Sequence, residues 1–426
     1  MVSISVEPRR DLPKRGGREH ISGRAPDNVV TEMPAIDAMI STPSRLSNVI
    51  AMVILFLMAT GAVMVFSASA NLGHEFDLHR FYDFPGLRQI LFFPIAVGVL
   101  FAASLPDYRT WALRSRWYKC PTVWLLALAL GLLLTVLLAG TEVYGARRWL
   151  RIPLGPASVS FQPSELAKWT MVFFLAGICA RIGPDIRRYW TRFLPLCLLI
   201  GSVCGFIVIE DFGTAAFIGL MSLVLLAVAG VRWWHVLTLL PLGLTGFVIA
   251  LFQSPHRMKR LEAFFHPNRM GDSVAYQANQ SLVAIGSGGL WGKGIGQGTC
   301  KYGHLPEDTT DFIFAIIGEE LGLIGTIGII ALFILFVFLG LAVVMRCRDR
   351  FGRLLAAGIV LTIGVQAAIN IGVVTVVMPT KGIPLPFVSA GGTSMLLSAA
   401  AVGVLLNIAA RCQPSDLLAS PDNSTS

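Results

Sequence analysis

Residues 305–322 read LPEDTTDFIFAIIGEELG, and they set Glu307, Asp308 and Asp311 at the mouth of an apolar run that still carries Glu319 and Glu320. Carboxylates on the lip of a membrane span are costly to build, so by default they mark chemistry or transport at the bilayer surface. Asp311 stands where polar loop gives way to Phe312, Ile313 and Phe314. Apolar rings raise a carboxyl pKa and the start of a helix lowers it, so the sequence leaves the balance open. A carboxylate here can take a proton from a sugar hydroxyl as a general base. The competing role is plain helix capping by Thr310 or Asp311, which would accept free backbone N–H groups at the positive helix end.

Fixed cations are the second ingredient. Arg147 and Arg148 lie side by side next to Trp149. Two guanidinium groups suit phosphate oxygens, although an arginine pair near a membrane also serves as an interfacial anchor. Lys381 sits among prolines in a constrained loop, placed either to bind an anion or to meet solvent. Glu165 and Lys168 share one face of a helix, three residues apart, as a site pair or as a pair that neutralises itself for burial. Asp211, between two apolar runs, is a cap or a wall of the same cavity. Glu319 and Glu320 follow Asp311 by one long helical stretch, about 12 Å at 1.5 Å per residue, and are expected to make contacts inside the bundle.

These groups need a scaffold, and composition names its class. The 426 residues are 54% hydrophobic and 14% charged, against about 25% charged in a soluble domain, so the chain reads as an integral membrane protein. A helical span takes roughly 20 apolar residues. Runs of that kind fall near 46–68, 88–105, 121–140, 164–181, 193–209, 212–230, 234–252, 312–345, 354–377 and 393–411, which predicts an all-α polytopic protein with about ten transmembrane helices. Glu210 and Asp211 split the fifth run from the sixth. The run at 312–345 is long enough to require tilt or an extension past the bilayer.

An even number of spans puts both termini on one side, and that side collects most of the 34 Lys and Arg, so both termini are expected in the cytoplasm. The net charge of +9 follows from this topology and does not call for nucleic acid. Residues 1–45 lack a signal-length apolar stretch and read as a flexible cytoplasmic tail, with 412–426 as a second tail around a 46–411 membrane domain. Of the seven cysteines only Cys300 faces outward, and no disulfide framework or metal motif is expected.

Three outward loops hold the unusual residues: 141–163, the large loop at about 253–311, and 378–392, MPTKGIPLPFVSAGG. The prolines and glycines of the last forbid a regular helix. Irregular backbone at membrane depth survives only under cover of protein or beside a wet cavity, so this loop is expected to dip back into the bundle. SLVAIGSGGLWGKG, at 281–294, fits a short interfacial amphipathic helix. Arg257, Lys259, Arg260, Arg269, Lys293 and Lys301 crowd the large loop against the usual topology rule, as an anionic ligand or anionic headgroups would require. No internal repeat supports an inverted-repeat transporter.

GARRWLRIPLGPASVSFQPSELAK (145–168), EDFGTA (210–215), YQANQSLVAIGSGGLWGKGIGQG (276–298), the 305–322 stretch and PTKGIPLPFVSAGGTS (379–394) resemble, in order, the signature blocks of the FtsW/RodA/SpoVE family. GARRW, GEELG and PTKG are closer to the division branch, whereas 276–298 has an elongation-branch flavour. The resemblance implies a ten-helix peptidoglycan glycosyltransferase that polymerises lipid II at the outer face of the bacterial cytoplasmic membrane, at the division septum. It implies as partners a class B penicillin-binding transpeptidase and other division proteins. It carries the catalytic acid onto Asp311 and the substrate-side residues onto Arg147, Arg148, Glu165, Lys168, Asp211 and Lys381. It leaves room for a divalent metal ion, Mg or Mn, and calls for no organic cofactor. Asp308-Thr309 replaces the usual Ala-His, Ile209-Glu210 the usual Gln-Pro, and Ala390 the usual Tyr. The missing His removes support for a proton relay there. Two other classes compete: a lipid II flippase, for which Glu319 and Glu320 are the best argument, and a scaffold that only activates a transpeptidase.

Overall fold

The computed structural model describes residues 43–69, 85–113, 116–143, 146–154, 157–252, 255–265, 273–300, 309–379 and 382–412. Each of the ten apolar runs is a helix: α1 (Pro43–Ser69), α2 (Pro85–Ser104), α3 (Pro121–Ala139), α4 (Pro163–Ile182), α5 (Leu194–Val208), α6 (Phe212–Val228), α7 (Trp233–Phe252), α10 (Ile313–Arg346), α11 (Arg350–Val374) and α12 (Gly392–Arg411). Eight of the described helical segments are long and apolar enough to cross a membrane, while α6 is shorter, at 17 residues. Their hydrophobicity is spread around the helix rather than along one stripe, as lipid on one side and apolar neighbours on the other require. The expected tails fall almost wholly at 1–42 and 413–426, outside the described residues.

Helix α4 is buried along nearly its whole length, with α11 and α12 close behind, so these three form the centre of the bundle. Between membrane helices close approach has to come from small residues. At Gly403 of α12 a side chain would collide with the Leu100 carbonyl of α2, and at Gly358 of α11 with Val172 of α4.

Three local features depart from the sequence expectation. The 141–163 loop is a small antiparallel sheet of β1 (Thr141–Val143), β2 (Ala146–Leu154) and β3 (Ala157–Phe161), in the order β1-β2-β3. The large loop contains two helices, α8 (Pro255–Phe265) and α9 (Ser273–Ser287). The expected interfacial helix at 281–294 therefore starts earlier and stops at Ser287, because Gly289 and Gly292 turn the chain through positive φ. Cys347 and Cys412 lie side by side, with Cα atoms 5.0 Å apart, a pairing that the sequence reading did not anticipate. Their 65-residue separation carries no spacing signal, and only the meeting of the ends of α10 and α12 pairs them.

The long run at 312–345 resolves into two helical pieces. Gly322 breaks it with φ 68° and ψ −164°, a conformation that in practice only glycine adopts. The backbone groups freed at the break are met by the 288–294 loop: Glu319 O and Glu320 O accept from Lys293 N and Gly294 N, and Leu323 N and Ile324 N donate to Gly289 O and Leu290 O. The piece before the break, Ile313–Leu321, is the extension that the length demanded, and it delivers the chain to Asp311.

Candidate active site

Side chains on a strand alternate between faces, and this separates the arginine pair. Arg147 stays exposed, with Nε 4.0 Å from Glu142, its cross-strand neighbour on β1. Arg148 turns toward the start of α6, where its Nε donates to the Glu210 carbonyl at 2.8 Å and Nη1 lies 3.9 Å from Asp211 Oδ2. The expected two-guanidinium fork is thus a single arginine at the site and a second on the sheet surface. Glu210 also fixes the strand, its carboxylate accepting from Arg147 N at 2.6 Å.

Asp211 fills both roles open to it in the sequence. It caps α6, accepting from Thr214 N at 3.0 Å and Thr214 Oγ1 at 2.8 Å, and the same buried carboxylate faces Arg148. Arg260, on α8, joins this group. Its surface stays open to the outside, yet its charge is felt together with those of Arg148, Asp311 and Asp211. Loss of solvent, and next the neighbouring Arg148, push its pKa below the ordinary arginine value, while Asp311 and Asp211 oppose the shift. The sequence offers Arg260 only as one of six cations in a long loop, with no signal to single it out.

Asp311 is half-buried. The N-cap position of α10 belongs to Phe312, the residue after Asp311. Its backbone is clamped by the proline loop. Ala390 N donates to Thr309 O at 2.8 Å, Ser389 Oγ to Thr310 O at 2.6 Å, and Asn370 Nδ2 to Asp311 O at 2.8 Å. Gly382 leaves the space that the carboxylate occupies. Ile383, Leu385, Phe387, Val388 and Ser389 are buried, so the loop dips back into the bundle as its composition required.

Glu165 and Lys168 lie below this surface and are almost wholly buried. Lys168 Nζ is 2.8 Å from Glu165 Oε2 and donates to Gln366 Oε1 at 2.9 Å. Gln366 Nε2 then donates to Pro384 O, and Asn370 Nδ2 to Ile383 O. The self-neutralising pair is therefore also a prop beneath the proline loop. Lys381 falls outside the described residues, as does the acidic stretch at 305–308.

Glu319 and Glu320 are fully buried and spoken for. Glu319 accepts from Lys293 Nζ, Thr299 N, Thr299 Oγ1 and Cys300 N, and Glu320 from Ser67 Oγ and Gly298 N. They fasten the 293–300 loop to α10 and α1, as internal contacts. Among the described residues no three His, Cys, Asp or Glu side chains converge to hold a metal ion.

The FtsW/RodA/SpoVE family model, described as "Cell cycle protein", matches residues 47–413. The chain is 36% identical over 373 residues to a probable peptidoglycan glycosyltransferase FtsW of Geobacter metallireducens, covering 86% of this chain and 95% of the relative. It is 38% identical over 358 residues to the stage V sporulation protein E of Bacillus subtilis, covering 83% and 94%. Among solved structures it is similar to a chain from a study of polymerisation and crosslinking by a peptidoglycan synthase complex, with TM-score 0.65, 27% identity and coverage of 84% and 96%. Rod shape determining protein RodA of Thermus thermophilus matches with TM-score 0.59, 26% identity and coverage of 84% and 95%. On the extent of these matches, the chain belongs to the FtsW/RodA/SpoVE family of multi-pass membrane proteins.

Proposed function

We propose that this protein is a peptidoglycan glycosyltransferase that joins lipid II units into glycan strands at the outer face of the bacterial cytoplasmic membrane. The observation that carries the reading is that Asp311, clamped by Asn370, lies at the end of the bundle where Arg148 faces Asp211, with Arg260 within electrostatic reach, a carboxylate near fixed cations. The names of the relatives supply the chemistry to which such a site is suited.

The donor is a sugar on a polyprenyl pyrophosphate, and the acceptor is a second lipid-linked sugar. Asp311 takes the proton from the acceptor 4-hydroxyl as that oxygen bonds to the donor's anomeric carbon. The bond from that carbon to the pyrophosphate oxygen breaks on the opposite face, with inversion, and the electron pair leaves on the pyrophosphate. Arg148 and Arg260 oppose the charge that develops there. Asp211, held by Thr214, orients Arg148, and the Glu165–Lys168–Gln366 prop with Asn370 keeps Asp311 and the proline loop in register.

Charge asymmetry supports cytoplasmic termini, and the resemblance of GARRW, GEELG and PTKG to the division branch supports a place at the septum. The synthase-complex relative supports a class B penicillin-binding transpeptidase as partner, alongside other division proteins. The flippase reading loses its best argument, because Glu319 and Glu320 are consumed in holding a loop. Purified protein, its transpeptidase partner and fluorescent lipid II in detergent, scored for strand length, test the proposal in a setting where flipping has no meaning. Asp311→Asn is expected to lower polymerisation by at least about a hundredfold while partner binding persists. Strands made at the normal rate by that variant remove Asp311 from the role of base.

A further inference from the structure

At the end of the bundle opposite Asp311, a cavity of about 600 Å³ opens between the last turn of α6, the first turns of α7 and the turn after α4. Helix α6 runs from Asp211 beside Arg148 to Ala229, whose carbonyl accepts from Arg350 at the start of α11, so the cavity and the acid cluster lie at opposite ends. Arg187 and Arg232 line it, facing an apolar wall that includes Val236 and Leu237. Arg187 Nε donates to the Gly230 carbonyl at 3.4 Å, which positions the guanidinium at the rim. Trp233 stacks on Trp234 with ring centroids 3.7 Å apart, and both rings are mostly exposed, as is Trp190 nearby. Exposed tryptophans of this kind mark the headgroup level of a bilayer.

We infer that this cavity is a binding site for one anionic phospholipid. Two guanidinium groups match a lipid phosphate, and the apolar wall on α7 matches the upper part of an acyl chain, a combination that a free inorganic anion would not need. The seventeen residues of α6 span about 26 Å at 1.5 Å per residue, so with Asp211 at one face of a hydrocarbon core of about 30 Å this end stops about 4 Å short of the other, within arginine reach of the headgroup phosphates. The proposed orientation assigns the site to the cytoplasmic leaflet; lipid binding itself does not depend on polymerase activity.

The test is native mass spectrometry of the full-length protein in non-ionic detergent, titrated with phosphatidylglycerol and separately with phosphatidylcholine. One phosphatidylglycerol is expected to bind in preference to phosphatidylcholine. Arg187→Gln combined with Arg232→Gln is expected to weaken it by roughly 25-fold, about fivefold per arginine, whereas Arg353→Gln changes nothing. Equal binding of the two lipids, or full affinity in the double variant, overturns the site. Displacement of the lipid by millimolar inorganic phosphate also overturns it, in favour of a small-anion pocket. Should the double variant fail to fold, Arg232→Gln alone, which leaves the Arg187 bond to Gly230 intact, carries the same comparison at about fivefold.

Discussion

Gly382 lies so close to Asp311 that a Cβ at that glycine would stand 2.8 Å from the Oδ2 of the aspartate. The neighbour is a short side chain that can rotate away, so the collision displaces the carboxylate and leaves the backbone in place. A base moved by a fraction of an ångström to an ångström loses its alignment with the hydroxyl, which can cost about a hundredfold in rate. Gly382→Ala is therefore expected to fold and insert normally, with an unchanged melting temperature, and to polymerise lipid II at least tenfold more slowly. Wild-type strand synthesis by this variant would show that the glycine only fills space.

The division of labour between the two arginines is also open to measurement. Arg148 touches Asp211 and the start of α6, while the Arg147 side chain lies at the sheet surface, 4.0 Å from Glu142. An exposed pair of that kind is worth about 0–1 kcal/mol. Arg148→Ala is expected to cut polymerisation strongly, by a factor on the order of a hundred if it stabilises the leaving pyrophosphate. Arg147→Ala should cost less than about fivefold. Equal losses in steady-state assays of the two variants would restore the fork-like site.

A buried ion pair behaves asymmetrically on mutation. Lys168→Met leaves the Glu165 carboxylate buried without its partner and is expected to destabilise the protein by about 3–5 kcal/mol. Adding Glu165→Leu removes the stranded charge and should restore much of the loss, seen as recovery of melting temperature and yield. If the recovered double variant also polymerises, the pair is a prop. A stable double variant without activity would instead return Lys168 and Glu165 to the substrate side.

Cys300 gives a pH-dependent readout of the loop pinned by Glu319. Burial first, and then the adjacent Glu319 carboxylate, push its thiol up to about 11. Raising the pKa leaves the protonated form dominant at neutral pH, so alkylation is expected to be slow at pH 7 and to accelerate as pH rises toward 11. Glu319→Gln removes the like charge and frees the loop, so Cys300 in that variant should label faster at pH 7.5. Unchanged labelling by mass spectrometry would separate the loop from Glu319.

The helices were legible because membrane spans are written in composition and run length. Each apolar run became a helix, and Glu210-Asp211 did mark the break between α5 and α6. The re-entry of 378–392 was readable for the same reason, since prolines and glycines with apolar neighbours have few places to go near a bilayer. Asp311 was singled out as a candidate by type and position, as an acid at a helix mouth needs a purpose.

What the sequence could not decide was partnership across distance. Arg147 and Arg148 look equivalent until strand pleating sends them to different neighbours. Gln366 and Asn370, the residues that prop the proline loop and clamp Asp311, sit inside an apolar run and carry no local mark. Arg260 joins the cluster only because the fold brings α8 within electrostatic reach of Arg148, Asp211 and Asp311, and Cys347 finds Cys412 only when α10 and α12 end side by side. Hydrophobicity and local geometry act on neighbours in the chain, so they determined the spans, the irregular loops and the candidate acid. Charge pairing and hydrogen bonding act through space, so the assembly of the site waited on the packing of the helices.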